Sequence, residues 1–385
     1  MFHVFLLLIS CTVLAYAYES GTTEVAVTEG NKTLQKKEST FLSSTAFIVL
    51  TITMILYAGL RSAVNDTANY ARGFEKIAPS ISGLDWSLGN NPLFIVYEVV
   101  LKKFVTNSAS VFFLITSFLV VLSYLLFIKK YSVNFGLSIY LFISFTLYAF
   151  TMAALKQTIA IAIAIWAIPL ILEKKYVRAL LLIAIATLFH AFTFVFLIAF
   201  VMGKSIWDKR AVIIIIATII IGVSFSMFVG QALDFTNSIG GNAYEFEDFV
   251  SGTGTSFLRI IVYLIPSILT FAFRDKLRES KDPFLSISIN LSLVASCLMA
   301  LAGIGGANLT GRLAGYFDLF ICFSLPSTLK YGIESKKTRN LAIVVVFIAF
   351  AFFYYSYYRK FAVLYPNPFT DYYEHSSLFT VLAGW

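Results

Sequence analysis

The sequence predicts an all-α, polytopic transmembrane helix bundle of about ten spans, with one further re-entrant or broken helix near His190. Three observations lead there. Hydrophobic residues make up 59% of the 385 positions and charged residues only 13%, where a soluble domain carries roughly 25% charged residues. Uninterrupted apolar stretches recur between short charged clusters, and the mean hydropathy is +0.83; about 20 apolar residues are what a helix needs to cross a hydrocarbon core of roughly 30 Å. The alternating pattern of a membrane β-barrel is missing. Lipid offers no hydrogen bonds to a bare backbone, so the apolar stretches must be helical or lie inside protein.

Taken in order, the expected spans are 1–18, 41–60, 108–128, 133–150, 153–172, 211–229, 257–273, 284–303, 313–329 and 340–357. Residues 4–14 followed by Ala15-Tyr16-Ala17 have the look of a signal h-region and cleavage site. No Lys or Arg precedes them, however, and Lys32, Lys36 and Lys37 stand just before the next span. An uncleaved first helix, signal-like in character, that returns those lysines to the cytoplasm satisfies the positive-inside rule better. The expected division is a first helix and linker over 1–40, a catalytic bundle over 41–357 and an extracytoplasmic tail over 358–385.

Loop charge decides the segment 178–203. Basic residues cluster at Lys129/Lys130, at Lys174/Lys175/Arg178, and at Lys204/Lys209/Arg210. Two more clusters follow at Arg274/Lys276/Arg278/Lys281 and at Lys330/Lys336/Lys337/Arg339. If 178–203 crosses the membrane, the last three clusters, eleven basic residues, fall on the wrong side. Its 26 residues are long enough for one tilted helix of about 39 Å, yet charge parity asks for an element that turns near His190 and goes back. The net charge of +8 is accounted for by this topology, and no nucleic-acid partner is expected. Cys11, Cys297 and Cys322 lie in apolar segments without ligand spacing, which suits buried thiols and neither a disulfide framework nor a metal site.

The long polar loops, 61–107 and 231–256, are then extracytoplasmic, and the chemistry is expected there. Arg61, Asp66 and Tyr70 follow the second span; for Arg61 alone, a cation snorkelling at a helix end is the simpler account. Asn91-Pro92 opens an amphipathic stretch with Glu98 and Lys102 at i,i+4, either an internal ion pair on an interfacial helix or an acid held at the membrane surface. Lys156-Gln157 sits about one turn inside an apolar run, where the cost of a cation is relieved either by snorkelling to the interface or by an acid or an anionic ligand. His190 is the one histidine within an apolar segment, at the expected break. A broken helix frees backbone N–H groups for an anion, and a neutral imidazole beside them suits a general base. Gly303 to Gly311 reads as a flexible loop delivering Arg312, which shares a face with Tyr316 and has Asp318 near enough to balance it. Tyr244-Glu245-Phe246-Glu247-Asp248 is a weak sugar-binding signal. Gly-x-Ser-x-Gly, His-Glu-x-x-His, P-loop and dinucleotide motifs are all missing.

Taken together, these residues resemble the EpsG family of bacterial polysaccharide-synthesis membrane proteins, which are Wzy-like polymerases. The resemblance rests on Arg61-x(4)-Asp66-x(3)-Tyr70, Glu98, Lys156-Gln157 where the family has Arg-Gln, and Phe189-His190. Arg312 with Tyr316, and the tail with Tyr365-Pro366 and Tyr372, complete it, so that it covers roughly 41–375. Two departures stand out: Val64-Asn65-Asp66 replaces Gly-Thr-Asp, and Lys156, a point charge without a bidentate fork, replaces Arg.

The resemblance implies polymerisation of polyprenyl-diphosphate-linked oligosaccharide repeat units at the outer face of a bacterial cytoplasmic membrane, for exopolysaccharide, capsule or O-antigen. A flippase and a chain-length regulator would be pathway partners. It implies Arg61, Lys156 and Arg312 on the phosphates, His190 or Glu98 as base, and Asp66 orienting Arg61 or the sugar. Tyr70, Gln157 and Tyr316 would bind substrate beside them. No cofactor or metal is required, because the diphosphate already leaves readily. The main rival is a transporter or flippase of lipid-linked saccharides, which uses broken helices and intramembrane cations equally well. A ligase, an acyltransferase or an intramembrane protease is less favoured, the last because no Ser sits in a nucleophile-like setting.

Overall fold

The computed structural model describes residues 2–364 apart from 30–31, 63, 203–204, 225–226, 228–229, 232–233, 235–253 and 305–306. The acid- and aromatic-containing stretch 244–248 and the tail residues Tyr365, Pro366 and Tyr372 therefore lie outside the described residues.

Among the described residues six helices are long and apolar enough to cross a membrane. They are α1 (Phe2–Ser20), α2 (Phe41–Gly59), α5 (Ala109–Tyr131), the run Leu155–Leu172, α15 (Pro283–Ile304) and α18 (Lys336–Leu364), the last qualifying over Lys336–Arg359. A seventh is a pair bent by 51°, α6 (Phe135–Ser144) with α7 (Leu147–Ala153). The run Leu155–Leu172 is itself α8 (Leu155–Ala164) followed by α9 (Ala167–Leu172). The expected count of about ten is thus corrected to six or seven. Over 211–229 the described helix, α12, ends at Val223, and over 257–273 it is α13 (Phe257–Ala272), 16 residues or about 24 Å. The stretch 313–329 is divided among the end of α16 (Ala307–Ala314), a 3₁₀ turn at Asp318–Phe320, α17 (Ile321–Ser327) and a π turn. Hydropathy records apolar character, which segments buried in protein share with those facing lipid, and is blind to such breaks.

One segment departs from the all-helical expectation. Thr22–Glu29 (β1) and Lys32–Ser39 (β2) form an antiparallel hairpin whose register puts Glu24 opposite Lys37 and Glu29 opposite Lys32. Threonine, valine and alternating charge favour this over a linker. The first helix packs within the bundle: Leu7, Leu8, Cys11 and Ala15 are buried, and the Tyr354 hydroxyl donates to the Val4 carbonyl at 3.0 Å.

The described residues of the five basic clusters gather at one end. The Lys129 ammonium lies 4.0 Å from the centre of the Phe47 ring near the start of α2, and Tyr131 stacks on Phe284 at the start of α15 at 4.2 Å. Arg278, on α14 (Arg274–Glu279), donates to the carbonyls of Ile206 and Trp207, both at 3.0 Å. Lys276 pairs with Glu334 at 2.7 Å.

The described part of the segment 178–203, residues 178–202, starts and finishes at that same end. Its ascending arm is α10 (Tyr176–Phe189), about 21 Å long at 1.5 Å per residue. His190 is extended, with φ −153° and ψ 115°, and breaks the helix. The returning arm is a 3₁₀ run, Ala191–Ile198, followed by α11 (Ala199–Met202). At about 2 Å per 3₁₀ residue these twelve residues cover about 22 Å, matching the ascent. The ends meet where Tyr176 and Phe200 approach with ring centres 6.0 Å apart. Asn290 holds the foot of the return by donating to the carbonyls of Met202 and Ser205, both at 2.7 Å.

Candidate active site

At the other end, the turn between α2 and α3 (Thr67–Lys76) meets α4 (Pro92–Phe104), the start of α8, the His190 apex and α16. They enclose a polar cavity of about 620 Å³. Seven of the nine expected site residues line it: Asp66, Tyr70, Glu98, Lys156, Gln157, His190 and Arg312.

The α7–α8 break supplies its first feature. Ala154, with φ −122° and ψ 66°, ends α7 and begins α8, so the free N–H groups of a new helix start at the cavity wall. Tyr70 and Lys156 share this part of the cavity wall. The Lys156 ammonium lies 5.2 Å from the centre of the Phe94 ring. Glu98 follows Phe94 by one helical turn and is 7% exposed. Burial raises its carboxyl to about 7 against the opposing pull of Lys156. Glu98 therefore faces Lys156 and does not form the expected i,i+4 pair with Lys102. Lys102 turns instead to the carbonyls of Phe74, at 2.9 Å, and Glu75, where the last turn of α3 presents unsatisfied acceptors.

Arg312 reaches the cavity from a helix, not from the flexible loop expected over 303–311. Gly303 belongs to α15, and α16 doubles back along it. The buried Gln157 amide donates to the Arg312 carbonyl at 2.7 Å and pins α16 to α8. Gly315 makes the approach feasible, since a Cβ there would stand 3.1 Å from the Arg312 carbonyl oxygen and 3.3 Å from the Phe150 ring. Asp318 does not balance Arg312. Its Oδ2 accepts from the Tyr263 hydroxyl at 2.6 Å.

His190 is oriented from behind. Its Nδ1 lies 2.5 Å from the buried Tyr316 hydroxyl. The Thr193 hydroxyl donates to the His190 carbonyl at 2.7 Å. With Nδ1 taken by Tyr316, Nε2 is the ring nitrogen left for a partner in the cavity. Asn91 positions the same apex: in left-handed backbone at φ 53°, it accepts from the Ala191 N–H through its side-chain oxygen at 3.2 Å.

Arg61 and Tyr316 do not line the cavity. Arg61 is 1% exposed, and burial lowers its guanidinium to about 10, still charged at neutral pH. Its Nη1 donates to the Ala58 carbonyl at the end of α2 and its Nε to the Thr67 hydroxyl at 3.2 Å, while its Cζ stands 4.6 Å from the centre of the Phe113 ring. The expected contacts of Arg61 with phosphate, and of Asp66 with Arg61, are replaced by this joint between α2, α3 and α5; Asp66 points to the cavity alone. The nearby departure from the family pattern is accommodated without a glycine, because Val64 takes φ 99°.

Sequence reasoning misses Thr193 and Asn91. Thr193 follows His190 by three residues, and Asn91 precedes a proline that reads only as a helix start.

The EpsG family model matches residues 44–372, from α2 through α18. The chain belongs to the EpsG family. That family is one of Wzy-like polysaccharide polymerases, so this EpsG-family chain is a membrane protein of polysaccharide synthesis. No curated protein and no solved structure matches it.

Proposed function

We propose that this EpsG-family protein polymerises polyprenyl-diphosphate-linked oligosaccharide repeat units in its polar cavity. The observation that carries the reading is the convergence of Lys156, Arg312 and the start of α8 with two candidate bases, His190 and Glu98, around one space. Cations and helix N–H groups suit a diphosphate, and a bare imidazole nitrogen beside them suits an acceptor hydroxyl. In the reaction the acceptor oxygen attacks the anomeric carbon of the donor and the bond from that carbon to the phosphate oxygen breaks. The hydroxyl proton passes to His190 Nε2 and the polyprenyl diphosphate leaves against Lys156 and Arg312. Tyr316 holds the imidazole ring in place, and Asp66 faces the sugar. With the basic clusters in the cytoplasm, the cavity opens at the outer face of the cytoplasmic membrane. The products would be exopolysaccharide, capsule or O-antigen, with a flippase and a chain-length regulator as pathway partners.

The test is polymer length in cells expressing His190→Ala or Arg312→Ala. Loss of long chains at unchanged protein level is the expected result, and normal chain lengths would sink the assignment. Purified protein given lipid-linked units separates a polymerase from a flippase: the first extends chains with no gradient, the second only moves them.

A further inference from the structure

A second cavity adjoins the polar one at Arg312. The two share Asn65, Phe150, Ala153 and Arg312, and the second, of about 290 Å³, also holds Arg259 and Asp318. Thr255, Arg259 and Tyr357 in turn connect this to a third, of about 490 Å³, between α13 and α18. The third is lined by Leu258, Phe352, Phe353 and Tyr355. Phe352 is 61% exposed and Tyr355 45%, on a span whose surroundings are lipid. A polar chamber, a small charged neck and an aromatic groove at the surface of the span thus adjoin one another through shared walls.

The neck is incompletely satisfied. Asp318 is 5% exposed; one carboxylate oxygen takes the Tyr263 hydroxyl, but Oδ1 is buried and has no partner. The Nε of Arg259 is likewise buried without a partner. Its guanidinium lies 5.8 Å from the centre of the Tyr263 ring, and its charge and that of Asp318 attract each other without closing to an ion pair among the described residues. Open positions on a buried cation and a buried carboxylate are costly unless a ligand completes both. The complement of the pair is a molecule with an anionic group for Arg259 and, adjacent to it, a hydroxyl that donates to Asp318 Oδ1.

We infer that the neck and groove form a second substrate site, for another polyprenyl-diphosphate-linked saccharide entering from the bilayer between α13 and α18. The polyprenyl chain lies against Phe352 and Tyr355, the diphosphate meets Arg259, and a hydroxyl of the first sugar donates to Asp318. Phe150 and Ala153 separate this diphosphate from the one held by Lys156, with Arg312 at the boundary. The inference rests on the polymerase reading, which requires two lipid-linked molecules at once. It adds where the second one binds and by which door it enters.

The test uses the full-length protein in detergent and counts bound ligands by native mass spectrometry, with a polyprenyl-diphosphate-linked monosaccharide as probe. Two per chain are expected for the unaltered protein, and the second is expected to weaken about tenfold in Arg259→Gln but not in Arg259→Lys. One ligand per chain, or two in Arg259→Gln at unchanged affinity, would overturn the site. Should Arg259→Gln fail to fold, a benzophenone amino acid in place of the lipid-facing Phe352 decides. Crosslinking to polyprenyl diphosphate that excess polyprenyl diphosphate suppresses, and phosphatidylglycerol or inorganic diphosphate does not, supports it. Equal competition by phosphatidylglycerol marks an ordinary bilayer lipid, and competition by inorganic diphosphate alone marks a simple anion site; either rules the proposal out. Two Arg259-dependent ligands without chain extension would refute polymerisation and leave the site standing.

Discussion

Glu98 and His190 are the two residues whose protonation governs the proposed chemistry, and they are separable by pH. Burial holds the Glu98 carboxyl near 7, so a reaction needing its carboxylate rises with pH through about 7 and levels above it. Glu98→Gln should abolish that limb, measured as chain extension by purified protein between pH 5 and 9. Stability runs the opposite way. A carboxyl whose folded pKa is raised is protonated in both states below about 4.5, and its contribution is lost as pH climbs through about 7. The difference reaches about 3 kcal/mol at 1.36 kcal/mol per pKa unit. The melting temperature of Glu98→Gln should therefore gain on the unaltered protein as pH rises from 4.5 to 8, and parallel curves would contradict the buried carboxyl. At His190, Tyr316→Phe removes the hydrogen-bond partner of Nδ1. A lost hydrogen bond of about 1.4 kcal/mol predicts roughly tenfold slower extension, against about a hundredfold or more for His190→Ala. Arg61→Ala should fail differently. It breaks the joint between α2, α3 and α5, so lost thermal stability, about 3 kcal/mol or more, should precede any selective loss of diphosphate binding.

Among the elements, the re-entrant pair decides where the histidine stands. Its arms match in length because the returning residues are wound as 3₁₀ helix, and the apex is tied to α4 through Asn91. Asparagine tolerates the left-handed backbone there and a β-branched residue does not. Asn91→Gly should keep the fold while losing the bond to the Ala191 N–H, and Asn91→Val should lose both. A ladder of melting temperatures, with the native protein highest and valine lowest, is the expected readout. The same contrast governs α8 and α16. Each begins or ends at a break near the cavity, and the Gln157 bond to the Arg312 carbonyl makes the two breaks one site.

For the whole molecule, the prediction concerns sides. With Cys11, Cys297 and Cys322 replaced by serine, single cysteines at the exposed positions Lys175, Arg278 and Lys336 should react with a membrane-impermeant thiol reagent from the same face. A cysteine at Asn69 should react from the opposite face. A split among the first three would mean that 178–203 crosses the membrane after all.

The membrane class, the helical character and the common end of the basic clusters were legible in the sequence, because each depends on composition or on charge summed over whole loops. So was the break at His190, since parity demanded it and the local residues did not contradict it. Span integrity was not legible: the breaks at Thr146, at Ala154 and before Asp318 lie inside runs as apolar as continuous spans. Partner choice was not legible either. Glu98 sits four residues from Lys102 and faces Lys156, Asp318 sits six from Arg312 and bonds Tyr263, and Arg61 sits five from Asp66 and bonds Ala58 and Thr67. Local spacing favours the near partner, but burial raises the cost of every unsatisfied group, and only the packed bundle determines which distant group arrives to satisfy it. The sequence by itself determined a membrane bundle with its charges on one side and a histidine at a turn. The tertiary structure alone decided which seven residues share a cavity, and that a second cavity adjoins it at Arg312.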